Sequence, residues 1–127
     1  MADDAFDAAV RAAFTAFNER RFADFSATVT EDLVESYPQS GEVMHGRAAE
    51  RAMHEAFADA PTFSIRRILH DGNLAVVEVD EGYADGVTWK SVFILELRDG
   101  LIAGFTGYFG EPFPAPAWRR PFIETGD

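Results

Sequence analysis

The chain has no cysteine in its 127 residues, and this absence excludes disulfide bonds, thiolate metal sites and cysteine nucleophiles. Basic residues are also scarce, because 11 Lys and Arg stand against 22 Asp and Glu and leave a formal net charge of -11. Such a charge repels the phosphates of nucleic acids and the anionic surfaces of membranes. We therefore expect neither nucleic acid nor a membrane as a partner.

Long apolar runs and cofactor motifs are missing as well. No run approaches the roughly 20 apolar residues of a membrane span, and the acidic amino terminus, Met1 to Asp4, lacks the apolar segment of a signal peptide. There is no glycine-rich phosphate loop and no Gly-x-Ser-x-Gly elbow. The three histidines, His45, His54 and His70, do not stand at metal-ligand spacing. We expect a cytoplasmic protein that binds no metal ion and no other cofactor.

Apolar and aromatic residues are plentiful. Hydrophobic residues make up 47% of the chain and include twelve Phe, which is enough for a core without disulfide or metal support. We find no linker or internal repeat, so residues 1–127 are expected to form a single domain. Residues 112–127, rich in proline and aromatics, are expected to be an extended tail. Trp118 either covers an opening or buries its ring against the body of the protein, and we favour the second interpretation.

The first half of the chain has helical periodicity. Apolar positions from Phe6 to Phe17 predict an amphipathic helix over about 4–20, and a shorter helical turn is expected at about 23–29. Leu33 to Tyr37 is expected to be extended. A third helix is predicted between Gly46 and Pro61, because glycine and proline commonly flank helices.

The third helix carries two kinds of side chain. We expect its buried face to consist of four apolar residues: Ala49, Met53, Ala56 and Phe57. His54 follows Glu50 by four residues, which predicts an exposed pair on the helix surface.

The second half of the chain predicts strands. Compact turns such as Asp99-Gly100 supply the positive-φ positions of tight hairpins, so neighbouring strands should pair in sequence order. The result is a curved four-stranded antiparallel meander with these predicted strands: Thr62 to His70, Leu74 to Tyr83, Val87 to Arg98, and Leu101 to Phe109.

Two segments carry a family resemblance. Tyr37-Pro38-Gln39 leads to Gly46-Arg47 at the third helix, and the Asp99-Gly100 hairpin is followed by Ile102 and then Tyr108-Phe109. Together with the order of elements, these segments resemble SnoaL-like members of the nuclear transport factor 2-like (NTF2-like) superfamily. The resemblance implies an α+β cone, in which three N-terminal helices pack on a curved antiparallel sheet around a mostly apolar pocket. The superfamily includes isomerases, dehydratases, epoxide hydrolases, polyketide cyclases and binding domains, so the fold does not choose the function.

Two carboxylates are the candidate catalytic residues. Glu78 and Asp80 are two residues apart in a strand and therefore share one face. If that face lines the pocket, their like charges raise the pKa of one of them, so that the pair supplies an acid and a base. We expect Asp80 to be the base and Glu78 its partner. The alternative is that both lie on a solvated face.

Two enzyme branches of the superfamily have catalytic residues that this chain lacks. Asp80 matches an aspartate of the limonene epoxide hydrolase branch, but Glu78 replaces its arginine and Gly107 replaces its second aspartate, which argues against epoxide hydrolysis. The ketosteroid isomerase branch uses a tyrosine on the first helix as oxyanion donor, where this chain has Phe14 and Phe17 and no phenol, which argues against that branch too.

Six residues are candidates for ligand binding. We expect Tyr37 and Gln39 to orient a ligand by hydrogen bonds, although an ordinary strand end and turn would also explain them. The other four belong to apolar faces of the last two strands that are expected to line the pocket: Trp89, Phe93, Phe105 and Phe109.

The opposite sheet face is apolar at four positions: Val92, Ile94, Ile102 and Tyr108. This face predicts a homodimer, because a large apolar patch seldom stays exposed. The leading hypothesis is a small-molecule pocket protein that acts as an acid/base isomerase, cyclase or hydrolase on an apolar oxygenated compound. The alternative is a non-catalytic ligand-binding or dimerisation module of the same fold.

Overall fold

The computed structural model describes residues 2–125. Helix α1 (Ala2–Asn18) lies over the sheet, and its apolar positions Val10, Ala13 and Phe14 are buried there. A short helix, α2 (Phe22–Ser26), follows. The third helix, α3 (Arg47–Ala56), comes after the first two strands. The three predicted helices are thus present, but α2 ends earlier than the sequence suggests because the chain turns into a strand at Val29.

One curved sheet of six strands forms the rest of the fold, in the order β2-β1-β6-β5-β4-β3. Its strands are β1 (Val29–Tyr37), β2 (Glu42–His45), β3 (Thr62–Asp71), β4 (Leu74–Gly82), β5 (Thr88–Arg98) and β6 (Leu101–Tyr108). The predicted four-stranded meander corresponds to β3 through β6, whose neighbours pair antiparallel. Strand β2 was not predicted, and β1 pairs parallel to β6. The sheet is therefore wider than the sequence pattern indicated.

The core lies between α1 and the concave face of the sheet. Phe93 is its central ring, 1% exposed, with the rings of Phe14 and Phe63 at centroid distances of 5.8 and 5.5 Å. The β5–β6 hairpin closes through Asp99 and Gly100, which both have positive φ, as a tight two-residue turn requires.

The predicted apolar outer face of the sheet is only partly correct. Tyr108 is exposed, whereas Ile102 is buried among core residues. A register shift between Glu96 and Leu97 interrupts the alternation along the β5–β6 pair. Because such a bulge changes which residues face inward, strict alternation placed Ile102 on the wrong side.

Two further expectations are wrong. In α3 the buried residues are Glu50 and His54. Of the four apolar residues predicted to be buried, Met53 is half-buried, and Ala49, Ala56 and Phe57, which follows the helix, are exposed. The helix is therefore rotated so that its polar pair faces the interior.

The tail also differs from the expected extended chain. It contains a 3₁₀ helix (Ala117–Phe122), and the Trp118 ring is 73% exposed. The Arg119 guanidinium carbon lies 5.6 Å from the centre of that ring, so Trp118 has a local cation–π contact in place of burial against the sheet. None of the helices in residues 2–125 combines the length and the apolar character that crossing a membrane requires.

Candidate functional site

A cavity of about 590 Å³ lies between the helices and the concave face of the sheet. All six predicted ligand-binding residues lie on its wall: Tyr37, Gln39, Trp89, Phe93, Phe105 and Phe109. The wall is mostly apolar, and several carboxyl groups interrupt it. Such a cavity suits a small molecule that is largely hydrocarbon and carries a few polar groups.

Glu78 and Asp80, the predicted catalytic pair, do not line this cavity. They share one face of β4, as predicted, but it is the outer face. Glu78 Oε2 lies 3.0 Å from Arg67 Nη2, and Asp80 lies 3.0 Å from Arg66 and 2.9 Å from Lys90. Hydrogen bonds from Lys90 and then Arg66 lower the pKa of Asp80. The expectation that both point into the cone is therefore wrong, because basic side chains of β3 and β5 pair with them outside.

Glu81 is the carboxylate of β4 that faces the cavity. It is 1% exposed and follows the buried positions Ala75, Val77 and Val79 in strict alternation. This alternation was readable in the sequence, because the other face of the same strand carries both Glu78 and Asp80. An apolar series at every second position indicates the buried face, and Glu81 continues that series.

The two oxygens of Glu81 have different surroundings. Oε2 accepts a hydrogen bond of 3.2 Å from the Tyr83 hydroxyl, whereas Oε1 is buried and has no hydrogen-bond partner within the described chain. Burial raises the pKa of Glu81, and the nearby Ser91 and Tyr83 hydroxyl groups act in the opposite direction. Burial and the neighbouring Glu81 in turn raise the pKa of Tyr83 to about 12.

A second Glu-x-Tyr pair lies on β1. Glu35 is 3% exposed, and its Oε2 accepts a hydrogen bond from the Tyr37 hydroxyl. Burial, followed by the charge of Glu35, raises the pKa of Tyr37, so the phenol stays protonated and acts as a donor. Sequence reasoning singled out Tyr37 but missed Glu35, which the same two-residue spacing places on the same face of the strand.

Helix α3 brings Glu50 against this pair. Glu50 is 1% exposed, and burial, a hydrogen bond with Glu35 and the charge of Glu35 raise its pKa, in that order. Near neutral pH, Glu50 therefore keeps its proton and is the acid of the pair. The raised pKa of Glu50 thus places a protonated carboxyl group beside a second buried carboxyl group.

His54 lies one helical turn beyond Glu50. Its ring packs edge-on against Phe17 and Phe25, at centroid distances of 4.9 and 4.7 Å. Burial lowers the pKa of His54, so the imidazole is neutral. The predicted exposed Glu50–His54 pair is instead buried, and sequence spacing could not reveal this because the two residues share a face whichever way the helix is turned. Within residues 2–125, no three His, Asp or Glu side chains converge on a possible metal position.

Gln39 holds the end of β6 at the mouth of the cavity. Its Nε2 donates to the Phe109 carbonyl at 3.0 Å, and its Oε1 accepts from the Phe109 amide at 2.6 Å. The next residue, Gly110, approaches the Lys90 backbone so closely that a Cβ would collide with the Lys90 carbonyl oxygen. These contacts place the Phe109 ring 5.5 Å from the Tyr37 ring, which fixes one wall of the site.

The fold and the site together define a class: a cone-shaped α+β pocket domain of the NTF2-like type, with carboxyl groups in an apolar cavity. The chain belongs to the SnoaL-like domain family, whose sequence profile matches residues 10–105. The predicted fold class is thereby confirmed, with a six-stranded sheet that stays open.

Solved structures show the same relationship. An NTF-2 like protein of unknown function from Burkholderia xenovorans LB400 is 30% identical, with a TM-score of 0.84 and coverage of 98% of each chain. A putative ketosteroid isomerase from Kribbella flavida DSM 17836 is 27% identical, with a TM-score of 0.89 and coverage of 98% of this chain and 91% of that one. An LEH-like epoxide hydrolase from M. tuberculosis shares the fold at 22% identity, with a TM-score of 0.73 and coverage of 84% and 83%. Comparison with curated proteins found no match.

Proposed function

We propose that the protein is an acid/base enzyme that shifts a proton within an apolar, oxygenated small molecule, and that Glu35 and Glu50 are its catalytic residues. The observation that carries this proposal is a pair of neighbouring buried carboxyl groups, Glu35 and Glu50, in the wall of an apolar cavity. This pair takes the role that sequence analysis had given to Asp80 and Glu78.

The proton balance of the pair suits an isomerisation. The Glu35 carboxylate accepts a proton from a carbon next to a carbonyl group, and Glu50 gives its own proton to another atom of the same molecule. One proton enters the pair and one leaves it, so the pair still holds a single proton with the two roles exchanged. Proton transfer by a positioned side chain contributes about 10²- to 10⁴-fold to a rate.

Tyr37 supports the charge of this pair. Its hydroxyl donates to Glu35 Oε2, and a hydrogen bond to a charged acceptor stabilises that charge more than a neutral one does. The first helix has no phenol at Phe14 or Phe17, so Tyr37 on β1 is the phenol of the pair. The name of the Kribbella flavida relative, a putative ketosteroid isomerase, describes the same class of reaction.

The test follows the migration of a double bond in β,γ-unsaturated cyclic ketones of one to three rings, by the ultraviolet absorbance of the conjugated product. Deuterium uptake in D₂O measures the first proton transfer separately. We expect wild-type protein to accelerate both for at least one ring size. Glu35→Gln should lower the rate about 10²- to 10⁴-fold.

Glu78→Gln is the matched control, because it removes a carboxylate from the outer face of the sheet, and it should keep the wild-type rate. No acceleration across the panel, or equal rates for wild type and Glu35→Gln, would contradict the proposal.

A binding module without catalysis is the second candidate. It is favoured by the fact that Glu35 already accepts a hydrogen bond from Tyr37, so one of its oxygens has a partner before any ligand enters. In that case the ketones should bind, as seen by NMR titration, and show no deuterium uptake.

The homodimer stays a prediction. Tyr108 is exposed on the outer face, and Val92 and Ile94 are half-buried there. We expect light scattering at micromolar concentration to give twice the mass of the chain, and a monomer mass would refute this.

A further inference from the structure

The β4–β5 end of the cavity has a second polar group that the proposed proton transfer does not use. Glu81 lies opposite Trp89 in the register of the two strands, and the Tyr83 and Trp89 rings lie 5.4 Å apart. Glu81, Tyr83 and Trp89 all line the cavity. We call these three residues the Glu81 end.

One carboxyl oxygen at this end has no hydrogen-bond partner in the described chain. The Tyr83 hydroxyl donates a hydrogen bond to Oε2 of Glu81, and Oε1 is buried with no partner among residues 2–125. Most buried polar atoms in folded proteins have a hydrogen-bond partner in the protein or in water, and a buried polar atom without one costs free energy. A ligand that brings an N–H group to this oxygen would remove the deficit.

The charged side chains around the cavity indicate whether that ligand group is positive or negative. Four glutamates line it, namely Glu35, Glu42, Glu50 and Glu81, and the described part of the wall contains no Lys or Arg. A carboxylate or phosphate group would find no basic Lys or Arg side chain on that part of the wall. A cation would be attracted both by Glu81 and by the π-faces of the neighbouring rings, which is the combination that recognises ammonium groups.

We infer that the Glu81 end binds the protonated amine of an otherwise apolar ligand. The inference deepens the proposed function, on which it rests in so far as both concern a ligand of the same cavity. Strands β1 and β4 are three strand steps apart, about 14 Å across the sheet. Glu81 is also six residues along β4 from Ala75, which the register places level with Glu35. The ligand class is therefore an elongated molecule with an apolar middle and an amine at one end, opposite the reacting carbonyl.

The experiment compares three probes of nearly equal shape by NMR titration at pH 7: 2-phenylethylamine, 2-phenylethanol and phenylacetate. We expect wild-type protein to bind the amine at least ten-fold more tightly than the alcohol, and to bind the carboxylate more weakly than either. Equal affinities for amine and alcohol would overturn the inference.

Variants locate the preference. Glu81→Gln should abolish the preference for amine over alcohol, and Tyr83→Phe, which changes a less buried residue, should reduce it at least three-fold. Glu78→Gln, the matched carboxylate on the outer face of the same strand, should retain it. A preference that survives both Glu81→Gln and Tyr83→Phe would refute the assignment to this end of the cavity.

The result is separable from the test of the proposed function, because each uses wild-type protein with probes that lack the other chemistry. Deuterium uptake with neutral ketones reports on Glu35 and Glu50 without any amine. Preference for the amine reports on the Glu81 end without any turnover. Isomerisation without amine preference would refute this inference alone, and amine preference without isomerisation would refute the proposed function alone.

Discussion

The two faces of strand β4 carry the same kind of side chain in opposite environments. On the outer face, Asp80 is bracketed by Arg66 and Lys90, and their hydrogen bonds lower its pKa. On the inner face, Glu81 is enclosed among apolar groups, and burial raises its pKa. The pKa values of these adjacent residues are therefore shifted in opposite directions. The difference shows that the chemistry of a carboxyl group depends on the face that its strand presents to the cavity.

The largest expected effect is a loss of stability on the inner face of the neighbouring strand β5, compared with its outer face. Phe93→Ala should destabilise the protein by about 3 to 5 kcal/mol, because it removes a ring that packs against Phe14 and Phe63. Ile94→Ala, on the outer face, should cost about 1 to 2 kcal/mol, because that side chain is only half-buried. Urea unfolding at pH 7 measures both. Equal losses would mean that the two faces are equally packed.

The pH dependence of stability sharpens the comparison. The pKa of Glu50 is higher in the folded protein than in the unfolded chain. The folded protein therefore keeps a proton on Glu50 that the unfolded chain releases. The contribution of Glu50 to the free energy of unfolding is fully present below its pKa in the unfolded chain, and it is lost as pH rises toward its pKa in the folded protein. Glu50→Gln should therefore become more stable relative to wild type between pH 5 and pH 8, by on the order of 1 to 3 kcal/mol, within the limit of about 1.36 kcal/mol per pH unit.

Urea titrations at four pH values across this range measure the effect. The control is Glu78→Gln, whose stability should run parallel to that of wild type. A constant difference between Glu50→Gln and wild type would show that the proton is not retained at Glu50.

The smallest expected effect is on the outer face. The pKa of Asp80 is lower in the folded protein, so its contribution is present above the unfolded pKa and is lost as pH falls through the folded value. Asp80→Asn should lose a small amount of stability near pH 7, and this loss should disappear in acid. The sign is opposite to that expected for Glu50→Gln. A loss that grows in acid would contradict the ion-pair geometry.

Local patterns predicted many individual elements of this fold. The period of the first helix placed Val10 and Phe14 in the core, and alternation along β4 placed Glu78 and Asp80 together on one face. Both inferences depend on geometry within a single segment, because side-chain direction repeats every 3.6 residues in a helix and every two in a strand. The apolar residues Phe93, Phe105 and Phe109 were placed at the cavity for the same reason.

Contacts between distant segments explain what was missed. The parallel pairing of β1 with β6 joins residues about 70 positions apart, and no local turn signal encodes such a contact. The rotation that buries Glu50 and His54 is decided by packing of α3 over β1, since its apolar residues Ala49 and Ala56 would locally favour the opposite face. The bulge at Glu96 and Leu97 reverses the side of Ile102 in the same way.

The sequence by itself therefore determined the type and order of most elements, the acidic charge, and which neighbouring residues share a face. Only the tertiary structure decided which segments meet at the cavity. It brought Glu50 of α3 against Glu35 of β1, whereas the alternation along β4 already indicated Glu81. The physical reason is that a local period gives relative direction along one segment. Absolute direction depends on how distant segments pack, and only that packing creates the low-dielectric interior in which a carboxyl group keeps its proton.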